Sequence, residues 1–152
     1  MAYQVKPLTR ELTGVYLEQF LIMDQVEGGE VWERRHFLHE LPGKWECSWI
    51  ALEADEAVGF VIASLKSHGL HVHRIVVHSE HRRRGLGRIL LQRAAERAVE
   101  RNLPQLTLRV PEQNRGAVAF YHRLGFQQQD RQAGHLELAI DPRRLLHGSH
   151  DS

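Results

Sequence analysis

The sequence predicts a single mixed α/β (or α+β) domain in which helices cover the faces of a mixed β-sheet. Three observations support this. A length of 152 residues fits one domain with one core. Strand-like and helix-like periodicities alternate in the order β-αα-ββ-β-α-β-α-ββ. Neither an internal repeat nor a linker divides the chain, so we expect one domain over 1–141 and a polar tail over 142–152.

The N-terminal third predicts a strand and two helices. Residues 2–8 are a short strand, after which Thr9 caps a helix that Gly28-Gly29 ends. A second helix over 30–41 stops before Pro42-Gly43. Apolar residues at helical spacing are expected to face inward: Leu12, Val15, Tyr16, Phe20, Ile22 and Met23, then Val31, Phe37, Leu38 and Leu41.

Residues 48–77 predict strands. The runs 48–53 and 57–66 flank the acidic turn Ala54-Asp55-Glu56 and form a hairpin. The run 70–77 alternates at first and ends in continuous apolar residues, as a central strand does where both faces are buried.

The remaining chain alternates helices and strands, in the order helix 85–101, strand 106–110, helix 114–123 and strands 126–131 and 134–140. The first helix has one apolar and one charged face, and Pro104 prevents its continuation. Asn114 caps the second helix, Gly125 closes it, and an Ala133-Gly134 turn joins the last two strands.

Composition narrows the class of protein. The formal net charge is +1, which gives no global case for nucleic-acid binding. No apolar run reaches the roughly 20 residues that cross a bilayer, and the N-terminus has no signal-peptide core. The single cysteine, Cys47, excludes an internal disulfide. We therefore expect a soluble cytoplasmic protein with no membrane partner.

The segment 75–88 predicts an anion site, because it runs from a strand through a short loop and two glycines into a helix. A helix start exposes unpaired N–H groups and attracts phosphate. Gly85 and Gly87 let the backbone approach a diphosphate, and neighbouring arginines add charge-assisted hydrogen bonds. The alternative is a tight turn with solvated arginines. Neither a P-loop nor a Rossmann fingerprint fits, since the required spacings are missing.

A second motif occupies residues 114–126, with the pattern N-x-x-A-x-x-F-Y-x-x-L-G-F. By itself it describes a capped core helix with a half-buried tyrosine. Together with Arg82-Arg83-Arg84-Gly85-Leu86-Gly87, however, it resembles the two signatures of the GNAT superfamily of N-acetyltransferases. The resemblance is specific over 70–127 and weaker elsewhere.

The resemblance implies a mostly antiparallel sheet in which the strand before the loop splays from its neighbour. It implies direct transfer of an acetyl group from acetyl-CoA to an unidentified amine of a small molecule or a protein, and it allows a homodimer. It assigns these residues to the cofactor: Ile75, Val76, Val77, Arg82, Arg83, Arg84, Gly85, Leu86, Gly87, Arg88, Asn114, Ala117, Phe120 and Tyr121.

The resemblance also suggests catalytic roles. Tyr121 would lie near the thioester sulfur and protonate the departing thiolate as general acid. The Val77 N–H would stabilise the developing oxyanion. Where several GNAT branches have a glutamate base, this chain has His71, and His73 lies two residues on, on the same face. The two imidazoles are base candidates, or they merely shape the acceptor pocket.

Several alternatives stay open. A non-catalytic acyl-CoA sensor would keep the same motifs. A nucleic-acid binder would need a continuous basic face, which Glu80, Glu96 and Glu100 interrupt. The spacings His71-x-His73 and His36-x-x-His39 lack further ligands, so no metal is expected. A cysteine between two tryptophans is more simply a buried small residue than a nucleophile.

Overall fold

Residues 3–26 and 30–147 are those that the computed structural model describes, and within them the chain forms seven strands, six helices and one 3-10 turn. The strands are β1 (Gln4–Pro7), β2 (Trp49–Glu53), β3 (Glu56–Lys66), β4 (Gly69–Val77), β5 (Leu106–Pro111), β6 (Gln127–Gln132) and β7 (His135–Ile140). The helices are α1 (Arg10–Val26), α2 (Arg34–Leu38), α3 (Lys44–Cys47), α4 (Leu86–Glu100), α5 (Arg115–Leu124) and α6 (Pro142–His147).

The strands form one sheet in the order β1-β2-β3-β4-β5-β7-β6. Within the described ranges only β4 and β5 pair in parallel, and α4 makes the crossover that a parallel pair requires. All other neighbouring strands are antiparallel. The predicted mixed, mostly antiparallel sheet with helices on its faces is thus confirmed.

The N-terminal helices differ from the prediction in their extent and in their apolar faces. Thr9 caps α1 as expected, because its Oγ1 accepts a hydrogen bond from the Leu12 amide at 3.1 Å. Val15 and Ile22 of α1, however, are 71% and 63% exposed instead of buried. The expected break at Gly28-Gly29 lies outside the described residues, and the second helix spans only α2, where Phe37 is buried but Leu38 is exposed.

The predicted helix over 30–41 is too long because a buried lysine binds the carbonyl groups at the end of α2. Lys44 Nζ donates hydrogen bonds of 2.6 Å to the carbonyl oxygens of Phe37 and His39. Its side chain is almost fully buried, and this desolvation lowers its pKa to about 8. The short helix α3, which begins at Lys44, was not predicted from the sequence.

Both predicted hairpins are confirmed. The β2–β3 turn places Ala54 and Asp55 at φ 50° and 65°, and the β6–β7 turn places Ala133 and Gly134 at φ 51° and 78°. Two successive left-handed residues form the tight turn whose twist matches that of a β-hairpin. The two turns fix the register of the outer strands on either side of the central β4–β5 pair.

The core lies on both faces of the sheet. One face packs against α4, α5 and α6 around residues such as Leu90, Ala94 and Leu108. The other packs against α1 and α2 around Phe20, Phe37 and Phe60. The segment predicted as a polar tail forms α6 at residues 142–147, and Leu145 there is buried in the first core.

A buried ion pair joins α1 to the centre of the sheet. Asp24 is fully buried, and its Oδ1 accepts a hydrogen bond of 2.5 Å from Arg74 Nε of β4. The other oxygen, Oδ2, accepts from the Trp32 amide at 2.7 Å, and the Arg74 guanidinium lies 5.6 Å from the Trp32 ring centre. Arg74 also donates to the carbonyl oxygen of Glu30. Residues 30 and 32 are therefore held close to β4 through Arg74 and Asp24.

Asp24→Ala should lower the free energy of unfolding by about 3 kcal/mol, because it leaves the mostly buried Arg74 guanidinium without its anion. The matched control is Glu18→Gln, which removes an exposed ion pair with Arg34 and should change stability by less than about 1 kcal/mol. Urea unfolding of the two variants checks this. Equal losses would show that the buried pair adds no more than a surface pair.

Candidate active site

The sheet opens between its two parallel strands. The β4–β5 pairing runs only from Leu70–Leu106 to Val72–Leu108, although the strands continue to Val77 and Pro111. This is the splayed strand that the resemblance implies. On the other side of β4 the pairing with β3 continues to the Val77–Gly59 position.

Main-chain groups of β4 face the gap at alternate positions. The His78 amide donates to the Val58 carbonyl at 2.8 Å, so the preceding Val77–Gly59 position is a non-hydrogen-bonded pair. By the same alternation, the N–H and C=O groups of Val77 and Ile75 point away from β3 and towards the gap. The Val77 carbonyl accepts a hydrogen bond of 3.1 Å from Arg82 Nε.

The loop after β4 turns sharply into α4. A 3-10 turn covers Ser79–His81, and two left-handed residues follow, Arg83 at φ 66° and Gly85 at φ 79°. Gly85 is the N-cap of α4 and offers no side-chain hydrogen bond to the first turn. The helix start that the sequence predicts as an anion site thus has amide groups that no capping side chain satisfies.

A cavity of about 420 Å³ lies between this loop and α5. Of the residues that the sequence assigns to the cofactor, all line it except Val76 and Arg84. Val76 is buried in the α1–α2 core on the opposite face of the sheet. Arg84 points towards the N-terminal segment, where its Nη1 donates to Tyr3 Oη at 3.1 Å and Tyr3 Oη shares a hydrogen bond of 2.9 Å with His81.

Three further residues line the cavity and were missed by the sequence prediction: His81, Gly116 and Arg123. Gly116 and Arg123 lie four residues before and three residues after Phe120 on α5. Helical spacing from Phe120 would have placed them on the same face. Arg123 adds a guanidinium on the wall opposite the loop arginines.

A smaller cavity of about 110 Å³ occupies the gap between β4 and β5. It shares Ile75, Asn114, Ala117 and Tyr121 with the larger one, so the two form one cleft that runs from the loop into the sheet. Its remaining wall includes His73, Arg74, Val76 and Arg109. Val76 therefore contacts the cleft only at this inner end.

Tyr121 lies where the two cavities meet, and its position follows from the ends of α5. Asn114 Oδ1 accepts from the Ala117 amide at 3.2 Å, and Gly125 ends the helix at φ 109°. The Phe126 amide then donates to the Tyr121 carbonyl at 3.1 Å, and the Phe126 ring packs 5.6 Å from the tyrosine ring. Tyr121 is only 8% exposed, so the motif buries its ring and directs it into the cleft.

His71 and His73 lie together on the sheet face opposite α4, as the sequence predicts. Their rings are 4.8 Å apart at 77°. His73 Nε2 shares a hydrogen bond of 2.7 Å with Ser64 Oγ, and His71 Nδ1 shares one of 2.8 Å with Thr107 Oγ1. His73 lines the smaller cavity, whereas His71 lines neither cavity.

Both histidines are held in the neutral form. Burial lowers the pKa of His73 to about 4, with a smaller contribution from His71 and the nearby lysines. Burial, followed by the charges of Lys66 and Arg109, also lowers the pKa of His71. Near neutral pH, His73 therefore adds hydrogen-bonding capacity to the cleft but no charge.

Nucleophile and metal chemistry have little support in the described parts of the chain. Cys47 is buried, and desolvation raises the pKa of its thiol to about 11, which disfavours a thiolate. Within residues 3–26 and 30–147, no three histidine, cysteine or acidic side chains come close enough to hold a metal ion. None of the helices in these ranges has the length and apolar character needed to cross a membrane.

Comparison with known proteins decides the family. The family model described as "Acetyltransferase (GNAT) family" matches residues 10–126, which is most of the chain. The chain belongs to the GNAT family. The matched range includes the loop, the splayed strand and α5.

This GNAT chain is 38% identical over 93 residues to a peptidyl-lysine N-acetyltransferase of Escherichia coli, YjaB, an alignment that covers 60% of the chain. The chain spans about half the length of the curated relatives it matches first, 54% of that protein and 50% of the next. The fold also matches Ard1 from Thermoplasma volcanium, with a TM-score of 0.79 and 19% identity over 93% of this chain and 98% of that one.

A further solved structure with the same fold is Arabidopsis thaliana Naa50 in complex with the bisubstrate analogue CoA-Ac-MVNAL. It has a TM-score of 0.71 and 18% identity, and the match covers 91% of this GNAT chain and 97% of that protein. At this level of identity the likeness establishes the fold.

The buried state of His73 makes the stability of the domain depend on pH. Its pKa is about 4 when folded, against an ordinary value of 6.5, so between these values the unfolded chain binds a proton that the folded chain does not. Stability should fall as the pH drops from about 7 to about 4, by at most about 3 kcal/mol from this residue. His73→Asn should flatten that dependence in urea titrations, while His122→Asn, at an exposed position, should leave it unchanged. Identical slopes in all three proteins would contradict the buried neutral state.

Proposed function

We propose that this chain transfers an acetyl group from acetyl-CoA to an amine. The observation that carries the proposal is the continuous cleft, which begins at an arginine-lined helix start and ends beside Tyr121 in a gap of the sheet. Family membership supports the same reaction. The nitrogen–carbon bond forms, the carbon–sulfur bond breaks, and the proton lost by the nitrogen is balanced by the proton gained by the sulfur.

The loop end of the cleft suits the diphosphate of coenzyme A. Arg82, Arg83 and Arg88 line one wall and Arg123 the other, around the uncapped start of α4. Arg88 Nε is buried without a hydrogen-bond partner, as a donor reserved for a bound anion would be. A Cβ at Gly87 would lie 3.3 Å from the Phe120 ring, so the glycine keeps the cavity open.

The inner end of the cleft suits the acyl arm. The gap-facing main-chain groups of Ile75 and Val77 provide hydrogen-bonding partners for an amide-containing chain, and Asn114 and Ala117 form the facing wall. Acetyl-CoA would supply an acetyl thioester at this end. Here the Val77 N–H is the donor proposed to stabilise negative charge on the acyl oxygen.

Tyr121 is proposed as the general acid. Reference pKa values are near 10 for a free phenol and near 8.5 for a free thiol, so a tyrosine at this place can donate a hydrogen bond or its proton to the departing sulfur and recover that proton from solvent. Burial of the ring beside Phe126 restricts where the hydroxyl lies. Restricting the donor in this way favours transfer from one direction.

We propose that the two histidines have a role other than that of general base, which the sequence suggested. Moving a proton from an ammonium of pKa near 10 to His73, at about 4, would cost about 8 kcal/mol, which makes His73 a poor general base. His71 lines neither cavity. We propose that the amine loses its proton to solvent, and that the neutral imidazole of His73 adds hydrogen-bonding capacity but no charge to the acceptor side.

A non-catalytic acyl-CoA sensor would have the same cleft, and an assay of product formation distinguishes it from a transferase. A sensor would bind acetyl-CoA without releasing CoA thiol in the presence of amines. Nucleic-acid binding has less support, because three of the clustered arginines line the cleft instead of forming an extended basic face. We also propose a cytoplasmic location, which cell fractionation would test, and a homodimer, which size-exclusion chromatography would test.

Gly87→Glu should weaken CoA binding at least about 100-fold, or about 2.7 kcal/mol, because it places bulk and negative charge in the diphosphate part of the cleft. Isothermal calorimetry measures the affinity. Gly14→Glu is the control, since a Cβ at this exposed position of α1 meets nothing within 4 Å. If Gly87→Glu binds CoA as the natural protein does, the loop is not the diphosphate site.

Tyr121→Phe should lower kcat about 100-fold while CoA affinity stays unchanged, because only the donated proton is lost. Tyr16→Phe removes a phenol that donates to the Asp55 carbonyl at the surface and should leave kcat unchanged. Thiol release in steady-state assays measures both. Equal kcat values for the Tyr121 and Tyr16 variants would remove Tyr121 from the acid role.

A further inference from the structure

The sheet face opposite α4 and α5 forms the remaining wall of the gap in which Tyr121 lies. β4 contributes His73 and Arg74 to this wall, and β5 contributes Arg109. The inference below rests on the proposed function, since it concerns the amine that would meet the acyl group here. With α5 and the cofactor part of the cleft on one side, the amine would approach from this opposite face.

The charge on this wall is positive. Among the residues that the structure describes, no carboxylate lines the smaller cavity, and the ionisable side chains there other than Tyr121 are Arg74, Arg109 and the neutral His73. Arg74 is already bound to the buried Asp24 and to the Glu30 carbonyl. Of the two guanidinium groups on this wall, Arg74 is therefore neutralised within the fold.

Arg109 differs from Arg74 in its partners. In the part of the chain that the structure describes, its guanidinium makes no hydrogen bond and has no carboxylate within 4 Å. Glu137 lies opposite it on β7, and Asp130 of β6 pairs in register with Glu137, yet neither carboxylate bonds to it. Arg109 is close enough to His71 to lower the pKa of that imidazole. A guanidinium exposed at the mouth of a cavity and left without an anion is suited to bind one from a ligand.

We propose that Arg109 binds a carboxylate of the acceptor, so that the preferred substrate is an amine with a carboxylate close to it. A free amino acid and a peptide with an acidic residue next to its amino terminus share this chemistry. Arg109 would then be a specificity residue of the acceptor site, because it contacts the substrate away from the reacting nitrogen.

Two pairs of acceptors, matched except for charge, test the proposal with the full chain and acetyl-CoA. The peptide pair is Ala-Glu-Ala-Ala-amide and Ala-Gln-Ala-Ala-amide, and the free pair is glycine and glycinamide. Each is assayed by CoA thiol release with the natural protein and with Arg109→Gln, Arg109→Lys and Arg109→Glu. Arg143→Gln, on α6, is the matched surface control.

The natural protein should prefer the carboxylate member of at least one pair, and the preferred pair identifies the source of the carboxylate. Arg109→Gln should lower kcat/KM for that member about 10-fold or more and leave its neutral partner unchanged. Arg109→Lys should retain part of the preference, Arg109→Glu should reverse it, and Arg143→Gln should behave as the natural protein.

Each contrary outcome has a distinct meaning. Neutral amines that react as well as acidic ones, or an Arg109→Gln loss that is equal for both members of a pair, would overturn the carboxylate site and leave the transferase intact. If no amine of either kind releases thiol while CoA still binds, the proposed transferase function fails, and the acceptor proposal fails with it.

Discussion

The structure depends on one constraint, the early end of pairing between the parallel strands β4 and β5. Buried main-chain groups normally find a partner in the neighbouring strand. Here Ile75 and Val77 are left facing a gap after the Val72–Leu108 position. The same parting admits a cavity through the sheet and brings residues of both faces to one point, with Tyr121 from one side and His73 and Arg109 from the other. If β4 and β5 paired along their whole length, side chains from the two faces of the sheet would not share a cavity.

Electrostatics divides the cleft into two regions of different character. At the loop end, arginines on two walls surround a helix start, and this concentration of positive potential suits a multiply charged anion. At the inner end the positive charge is smaller, because the His73 imidazole is uncharged and Arg74 is neutralised by Asp24, which leaves the guanidinium of Arg109. This contrast matches a reaction in which the phosphates are bound tightly while the reacting amine must be neutral.

The sequence predicted the parts of the fold and site that local patterns determine. The order of most elements along the chain, both hairpins and the two motifs follow from periodicity, turn residues and caps such as Asn114 and Gly125. The errors arose where tertiary contacts override the local pattern. Lys44 is a polar residue that becomes buried because it binds the carbonyls at the end of α2, and Leu145 makes a polar segment part of the core. Arg109 gave no signal, because nothing in a strand sequence reveals where pairing stops.

The contact between Tyr3 and Arg84 links the beginning of the chain to the anion loop. Tyr3 immediately precedes β1, an edge strand of four residues whose pairing with β2 has few hydrogen bonds to lose. The contact joins residues 81 positions apart, so closing it costs chain entropy that the docked strand β1 helps to offset. A ligand that requires the ordered loop would therefore also favour the docked edge strand, and fraying of that strand would weaken binding of the ligand. Tyr3 thus stabilises the anion loop although it lies far from that loop in the sequence.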